Sequence, residues 1–200
     1  IGYGLEGIRD KFVLATKSMS RTKEAMAADI ETSLGNFRTD YIDLYQVHNP
    51  SMEQLDQVIG EGGALEALME AKAAGKIGHI GLTAHSTEVF ERALELDWVE
   101  TIMFPYNIVE SQGEALMERA AAQNVGVIAM KPLAGGNITD GTLAMRYILQ
   151  NKTCTLAIPG MATLEEIEQN TAAAEQDGPA ALDLLDRLLH SLTVPWDLSA

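Results

Sequence analysis

The sequence is short of cysteine and of positive charge, and it has no long apolar run. One cysteine, Cys154, excludes an internal disulfide and a cluster of thiolate metal ligands. Lys and Arg number 14 against 29 Asp and Glu, and the formal net charge of -15 repels nucleic acid and anionic membrane surfaces. No apolar run reaches the length of a membrane span. We therefore expect a soluble, cytoplasmic chain with no nucleic acid and no membrane among its partners.

What the sequence does contain is a regular alternation of two hydrophobic patterns. Short apolar runs typical of buried strands alternate with segments whose apolar residues recur at helical spacing. Thr22, Ser86 or Thr87, and Thr163 are candidate helix N-caps, and Gly75 follows a predicted helix end. The predicted strands cover residues 11–16, 41–48, 79–86, 101–107, 125–133 and 154–160.

Apolar strands separated by helices predict an α/β fold with a parallel sheet covered on both faces. Both a (β/α)8 barrel of the TIM type and a doubly wound sheet satisfy this pattern. A nucleotide-binding doubly wound sheet would have a glycine-rich turn after its first strand, and none is visible. The barrel is favoured because polar or glycine residues follow strand after strand, where barrels place their active sites. These residues are Lys17, His48, His85, Asn107, Lys131 and Gly160.

Each of these residues is ambiguous when it is taken alone. A lysine after a strand is more often a solvated loop cation than a catalytic group. The histidine that ends the strand in DYIDLYQVHNP is as often structural as catalytic. KPLAGG at 131–136 is consistent with a plain tight loop, and IPG with the start of a capped helix. Their shared position at strand ends is what suggests a common site.

The remaining candidates have bland interpretations. Glu110 is expected to accept a loop hydrogen bond, and His79, His85 and His190 are expected to be structural or surface residues. No set of His, Cys or carboxylate residues shows a metal-ligand spacing, so no metal site is predicted.

Taken together, these segments resemble the aldo-keto reductase family. The resemblance runs from residue 1 to about residue 170, in family order, through RDKFVLATK, TDYIDLYQVH, GKIGHIGLTAHS, FPYNIVE, VIAMKPLAGG and AIPGMATLEEIEQN. FPYNIVE, IAMKPLAGG and AIPGM most resemble a prokaryotic branch with a cysteine-rich, ferredoxin-like tail for iron–sulfur clusters. No cluster is expected for residues 1–200, which do not include such a tail. The resemblance implies a (β/α) barrel and hydride transfer from NADPH or NADH to a small aldehyde or ketone.

The resemblance also implies a catalytic group of Asp, Tyr, Lys and His, in which Lys17 and His48 take the last two places. A phenol with a pKa of about 10 is a weak acid near neutrality, so an adjacent ammonium is needed to lower that pKa. The aspartate would hold Lys17 in place. His48 would direct the substrate oxygen and stabilise its developing negative charge.

The cofactor positions that the resemblance implies run from nicotinamide through pyrophosphate to adenine. Met103 stands where a glutamine is common, and Met130 where an aromatic ring often stacks on nicotinamide. Gly160, Met161 and Glu166 stand where many members have a basic residue for the 2'-phosphate of NADPH, so any preference for NADPH is expected to be weak. The full set is Thr83, Met103, Met130, Lys131, Leu133, Gly135, Gly160, Glu166, Gln169 and Asn170.

Counting ATK as the end of the family's third strand makes the six predicted strands equivalent to strands three to eight of an eight-stranded barrel. We expect an incomplete barrel of about six βα units, in one domain over residues 1–200, with a helical extension over 171–200. The catalytic aspartate and tyrosine are expected before Ile1. Tyr3 lies only 14 residues before Lys17, too few to leave room for an intervening helix. The edges at KFVLAT and CTLAIP are expected to promote self-association.

Three functions follow from this interpretation. The first is an NAD(P)H-dependent reductase of a small carbonyl substrate, inactive or weak as this chain. The second is a catalytically silent, nicotinamide-nucleotide-binding regulatory subunit. The third is a piece of the enzyme with no function alone. Binding of nucleotide with turnover, binding without turnover, and no binding distinguish the three.

Overall fold

The computed structural model of the chain describes residues 1–175 and has the α/β architecture that the sequence predicts. Its six strands follow one another in a sheet in the order of the sequence. The strands are β1 (Ala15–Ser18), β2 (Ile42–His48), β3 (Ile77–Thr83), β4 (Thr101–Pro105), β5 (Gly126–Met130) and β6 (Leu156–Ala157). The helices are α1 (Lys23–Phe37), α2 (Met52–Ile59), α3 (Ala64–Ala73), α4 (Thr87–Ala93), α5 (Glu114–Ala122), α6 (Gly141–Leu149) and α7 (Leu164–Glu175).

The chain divides into two compact units, the first from Ile1 to Ile102 and the second from Met103 onward. In the first unit, β1 pairs with β2 and β2 with β3, all in parallel. One face of these strands packs on α1 and α3. The core on that face includes Met26, Ile30, Tyr45, Leu68 and Ile80, each essentially inaccessible to water. Burial of these side chains is the main stabilising contribution in this unit.

The predicted helix boundaries are confirmed at three places in the first unit. The Thr22 hydroxyl accepts a hydrogen bond from the Ala25 N–H, and the Ser86 hydroxyl accepts from the Glu88 and Val89 N–H groups. Gly75 follows α3 with a φ of 73°, a conformation in which a side chain is strained.

Helix α2 was not predicted, although its sequence carries a start signal. Ser51 and Gln54 form a reciprocal capping box at its first turn. The helix is 8 residues long and begins at Met52, shortly after β2 ends at His48.

The predicted first strand is wrong in its position and in its burial. Strand β1 begins at Ala15 rather than residue 11, and Val13 is 80% exposed. The N–H of Leu14 donates to the Asp43 carboxylate at 2.8 Å, and Arg9 donates to the same carboxylate at 2.7 Å. These side-chain contacts hold the segment before β1 in place of further strand pairing. Lys17 therefore lies within the strand and not after it.

The second unit contains most of β4 together with β5 and β6, and the last two pair in parallel through Ile128 with Leu156 and Ala129 with Ala157. Strand β6 is shorter than predicted. A cluster of Ala134, Ile138, Leu143 and Ala144 packs between the loop after β5 and α6. The predicted extension over 171–200 falls partly within α7, and its remainder, like His190, lies outside the described residues. Within residues 1–175, no helix combines the length and the apolar character needed to cross a membrane.

The Glu100 carboxylate joins two elements of the first unit. It accepts hydrogen bonds from Lys72 on α3 at 2.7 Å and from the Ile80 N–H on β3 at 2.8 Å, and it contacts His79 Nδ1 at 3.0 Å. Partial burial alone would raise the pKa of Glu100, but the donors from Lys72, Ile80 and His79 outweigh it and lower the pKa to about 2. Deprotonated Glu100 therefore stabilises the fold.

We predict that Glu100→Gln lowers the free energy of unfolding by about 1 kcal/mol at pH 7. Because the pKa of Glu100 is lower in the folded than in the unfolded chain, its contribution is present above about pH 5 and is lost as pH falls toward 2. Urea unfolding followed by tryptophan fluorescence at pH 7 and pH 3 measures this change. The exposed loop residue Glu61 supplies the control, Glu61→Gln, which should have no effect. A difference between wild type and Glu100→Gln that is unchanged at pH 3 contradicts the assignment.

Candidate active-site rim

The strand register of the first unit brings three of the predicted site residues to one face of the sheet. Lys17 on β1 lies opposite Gln46 on β2, and His48 lies opposite Thr83 on β3. Alternate residues of a strand point to the same face, so His48 shares its face with Gln46 and therefore with Lys17. Lys17, His48 and Thr83 thus occupy one face near the carboxyl ends of neighbouring parallel strands.

The environment of His48 favours its neutral form. Burial lowers the pKa of the imidazole, and the nearby charges of Lys17, Arg21 and His85 lower it further. A neutral imidazole carries one N–H donor and one acceptor nitrogen. Lys17 itself is exposed on β1. This face can therefore offer a hydrogen-bond donor and an ammonium to a ligand.

Asn49, which is not among the predicted site residues, fixes the turn that follows His48. Its φ of 43° lies in the left-handed region, which asparagine tolerates better than most residues. Its N–H donates to both the backbone and the side-chain oxygen of Thr83 at 2.9 Å, and its Oδ1 accepts from the His85 N–H at 3.1 Å. The dipeptide Asn49–Pro50 is a turn signal that could have identified this residue.

Arg21, in the loop after β1, contacts the same turn from the other side. It is 9% exposed, and its Nη2 donates to the carbonyl of His48 at 2.7 Å and to Gln54 Oε1 at 3.3 Å. Among residues 1–175, its Nε and Nη1 have no hydrogen-bond partner. No local sequence signal distinguishes Arg21 from an ordinary solvated arginine.

In the second unit, the loop KPLAGG after β5 has an unusual backbone. Lys131, Ala134, Gly135 and Gly136 all have positive φ, between 47° and 94°. The N–H groups of Ala134 and Gly136 donate within the loop. Those of Leu133 and Gly135 donate to no acceptor in the described part of the chain. Left-handed backbone with free N–H groups is typical of anion-binding loops, and Lys131 adds an exposed ammonium.

Asn107, after β4, holds this loop in place. The residue is 1% exposed, and its side-chain amide donates to the Lys131 carbonyl at 2.9 Å and to Glu110 Oε2 at 2.7 Å. Its Oδ1 accepts from the N–H groups of Val109 and Glu110. The prediction that Glu110 is a loop hydrogen-bond acceptor is confirmed. Glu110 Oε1 also lies 3.9 Å from the Lys131 ammonium.

The predicted adenine and ribose positions lie around α7. The Glu166 carboxylate accepts from the N–H groups of Ala162 and Thr163, while the Thr163 hydroxyl accepts from the Glu166 N–H. Glu166 therefore caps the helix, and those backbone donors lower its pKa. Asn170 is buried, with its Oδ1 close to Gly141 at the start of α6.

The other predicted cofactor residues differ in their accessibility. Gly160 and Gln169 are exposed, Leu133 and Met130 are half-buried, and Met103 is buried in the second unit. Thr83 is also buried, and its hydroxyl is already engaged as an acceptor by Asn49. Within residues 1–175, no three His, Cys, Asp or Glu side chains come together as metal ligands.

Comparisons with known proteins agree on one family. The sequence profile described as "Aldo/keto reductase family" matches residues 1–142. L-Galactose dehydrogenase of Arabidopsis thaliana is 25% identical over 88% of this chain and 69% of its own length. Several other curated relatives are matched over only about half of their length.

Solved structures give the same answer for the fold. The holo form of an aldo-keto reductase from Bacillus halodurans superposes with a TM-score of 0.81 at 21% identity, covering 96% of this chain and 77% of that one. An aldo/keto reductase from Klebsiella pneumoniae, in complex with NADP and acetate, gives a TM-score of 0.77 at 26% identity, covering 94% and 74%. The six-stranded parallel sheet alternating with helices therefore matches an incomplete (β/α)8 barrel of this family.

We predict that Asn49→Ala lowers the free energy of unfolding by about 2 kcal/mol. About 1 kcal/mol comes from left-handed backbone strain and about 1 kcal/mol from the lost bond to the His85 N–H. Asn49→Gly loses the same hydrogen bond without the strain, so it should cost only about 1 kcal/mol. Urea denaturation of the three proteins checks the difference. Equal losses for alanine and glycine contradict the assigned role of the backbone conformation.

Proposed function

The chain belongs to the aldo/keto reductase family of oxidoreductases, and from that premise we propose that it binds NADPH or NADH for the reduction of a small aldehyde or ketone. The observation that carries this proposal is the placement of Lys17 and His48 on one face at neighbouring strand ends. A bound nicotinamide nucleotide supplies the hydride that reaches the carbonyl carbon. We further propose a cytoplasmic location, in keeping with the single cysteine, and membership of the iron–sulfur-tailed branch, in keeping with FPYNIVE, IAMKPLAGG and AIPGM.

In this proposal His48 binds the substrate oxygen. Its neutral imidazole donates a hydrogen bond to the carbonyl, and the bond strengthens as negative charge develops on that oxygen. Lys17 lies one strand away on the same face and favours the deprotonated form of any phenol placed beside it. A phenol acidified in this way would then protonate the oxygen to complete the alcohol.

The described residues do not supply such a phenol in the first unit. Tyr3 lies with its ring 4.3 Å from the Arg38 guanidinium, after the C-terminal end of α1, and Tyr41 precedes the start of β2. The Tyr45 hydroxyl contacts Ser33 on the helix-covered face of the sheet, and burial raises its pKa. In the second unit, burial likewise raises the pKa of Tyr106. We therefore propose that this chain alone has little or no reductase activity, or acts as a silent nucleotide-binding subunit.

The loop at 131–136 supports the nucleotide part of the proposal. Phosphate oxygens would accept from the free N–H groups of Leu133 and Gly135, with Lys131 adding charge. Glu110, 3.9 Å from the Lys131 ammonium, competes for that charge and weakens the site. The relative from Klebsiella pneumoniae, whose complex contains NADP, gives independent support for a nicotinamide nucleotide.

The preference between the two nucleotides is proposed to be weak. Residues 160–170 contain no Lys or Arg to meet a 2'-phosphate, and the stretch carries Glu165, Glu166 and Glu168. The carboxylate of Glu166 is held at the first turn of α7, where it repels a phosphate. A free ribose hydroxyl suffers no such repulsion.

Self-association through exposed edges is also proposed. Within the described residues, β1 pairs with β2 alone and β6 with β5 alone. Leu156 and Val13 are exposed at or beside these edges. Unpaired strand edges with apolar side chains readily join a second chain.

The decisive experiment titrates the purified chain with NADPH and NADH and then adds a reactive test aldehyde. We expect both nucleotides to bind with dissociation constants within tenfold of each other, and turnover to be weak or absent. Fluorescence titration measures the binding, and loss of absorbance at the reduced nicotinamide band measures the turnover. If neither nucleotide binds, the proposed function is wrong. If NADPH binds more than tenfold tighter than NADH, the proposed weak preference is wrong. Rapid turnover would show that the chain contains its own proton donor.

We predict that Lys131→Met weakens binding of either nucleotide by about tenfold, which corresponds to about 1.4 kcal/mol. The loss arises because a pyrophosphate in this loop would lose its nearest ammonium. Lys152→Met removes another exposed lysine of the second unit and is the matched control. Isothermal titration of both variants measures the change. An equal effect of the two substitutions would indicate a general charge effect and not a phosphate contact.

A further inference from the structure

A single peptide unit connects His48 to Asn49, and it is held from both sides. Its carbonyl accepts from Arg21 Nη2 at 2.7 Å, and its N–H donates to the two oxygens of Thr83 at 2.9 Å. Arg21 follows β1 and Thr83 ends β3, so residues from both sides of β2 hydrogen-bond to the same planar peptide group. The orientation of this plane sets the direction in which the chain carries the His48 side chain.

Arg21 is itself fixed by its surroundings. Its carbonyl accepts from the Ala64 N–H at the start of α3, and its guanidinium contacts Gln54 of the α2 capping box. Burying a guanidinium with two unpartnered nitrogens is unfavourable, and burial lowers the pKa of Arg21. Apolar side chains of similar volume would avoid this cost. The unfavourable burial of Arg21 is therefore best explained by its hydrogen bond to the His48 carbonyl.

We propose that Arg21 is a positioning residue for His48, holding the His48–Asn49 peptide against Thr83 so that the imidazole stays fixed on the substrate face. This assignment rests on the proposed function for its catalytic meaning, since His48 needs a fixed direction only if it binds a substrate oxygen. The hydrogen bonds that support it all lie among the described residues.

The charge of Arg21 has a second effect on His48. The charged and titratable groups that act on the imidazole are Lys17 from β1, Arg21 from the loop after β1 and His85 from the loop after β3. The neighbouring α2 contributes the neutral Gln54 at its first turn, in contact with Arg21. All three electrostatic contributions disfavour the imidazolium, so loss of Arg21 must raise the pKa of His48.

The test compares Arg21→Met and Arg21→Lys in the full chain by NMR, with His48 assigned through His48→Gln. In Arg21→Met we expect the pKa of His48 to move up toward the unperturbed value of about 6.5, and the Asn49 amide to exchange about fivefold faster or more. Arg21→Lys retains the charge but lacks the planar fork. It should keep the low pKa of His48 while still speeding exchange of the Asn49 amide.

Arg92→Met is the matched control, because Arg92, in the last turn of α4 in the same unit, pairs with the exposed Glu95 that follows the helix. It should change neither readout. If Arg21→Met does not fold by circular dichroism, Arg21→Lys decides the question through the Asn49 amide. Wild-type exchange in Arg21→Lys, or an unchanged pKa of His48 in folded Arg21→Met, overturns the proposal. These readouts require neither nucleotide nor turnover, so failure of the proposed function is recognised separately, by absence of nucleotide binding.

Discussion

The parallel register of β1, β2 and β3 is the constraint on which the first unit depends. Because side chains alternate between the faces of a strand, the register that buries Tyr45 and Val47 against α1 and α3 sends Gln46 and His48 to the opposite face. A shift of one residue would turn His48 toward the helices and Tyr45 toward the opposite face. The energy of the core and the position of the candidate site are therefore set by the same choice of register.

Charge is distributed so that the candidate site differs from the rest of the molecule. The chain has a formal net charge of -15, yet the charged groups acting on His48 are all basic. Lys72 is paired with Glu100, and Lys23 with Glu66 and Glu70, so other lysines of the first unit are neutralised locally. A face with concentrated basic charge attracts anionic groups, while the acidic remainder of the protein repels them.

Much of the fold could be predicted from local patterns, and the errors occur where tertiary contacts override them. Thr22, Ser86 and Gly75 acted as predicted because capping and left-handed glycine are properties of a few adjacent residues. The start of β1 was misplaced because Asp43, nearly thirty residues later, takes the N–H of Leu14. Residues 11–14 have the apolar pattern of a buried strand. The hydrogen bond to Asp43 that replaces strand pairing leaves no signal in that local pattern.

The same distinction applies to the site. Lys17 and His48 could be predicted as candidates because each belongs to a segment with a family pattern, whereas Arg21 has no pattern of its own. The role of Arg21 depends on a carbonyl 27 positions away, and the role of Asn107 on a carbonyl 24 positions away. Residues that act through backbone groups of another strand leave almost no trace in sequence, since any side chain of the right length can make the contact.

The exposure of Lys17 limits what it can do as the chain stands. An ammonium in water acts through a high dielectric constant, so its effect on the pKa of a nearby phenol is small. If protein covered the same ammonium, the dielectric constant around it would be much lower and its effect on that pKa would be larger. Strand β1 has one neighbouring strand among the described residues, and its Ala15 and Lys17 side chains are open to solvent. Any segment that covers this edge would therefore strengthen the field of Lys17 at the site as well as protect the strand. Packing at the edge of β1 and the acidity of a phenol at the candidate site would both follow from the same burial.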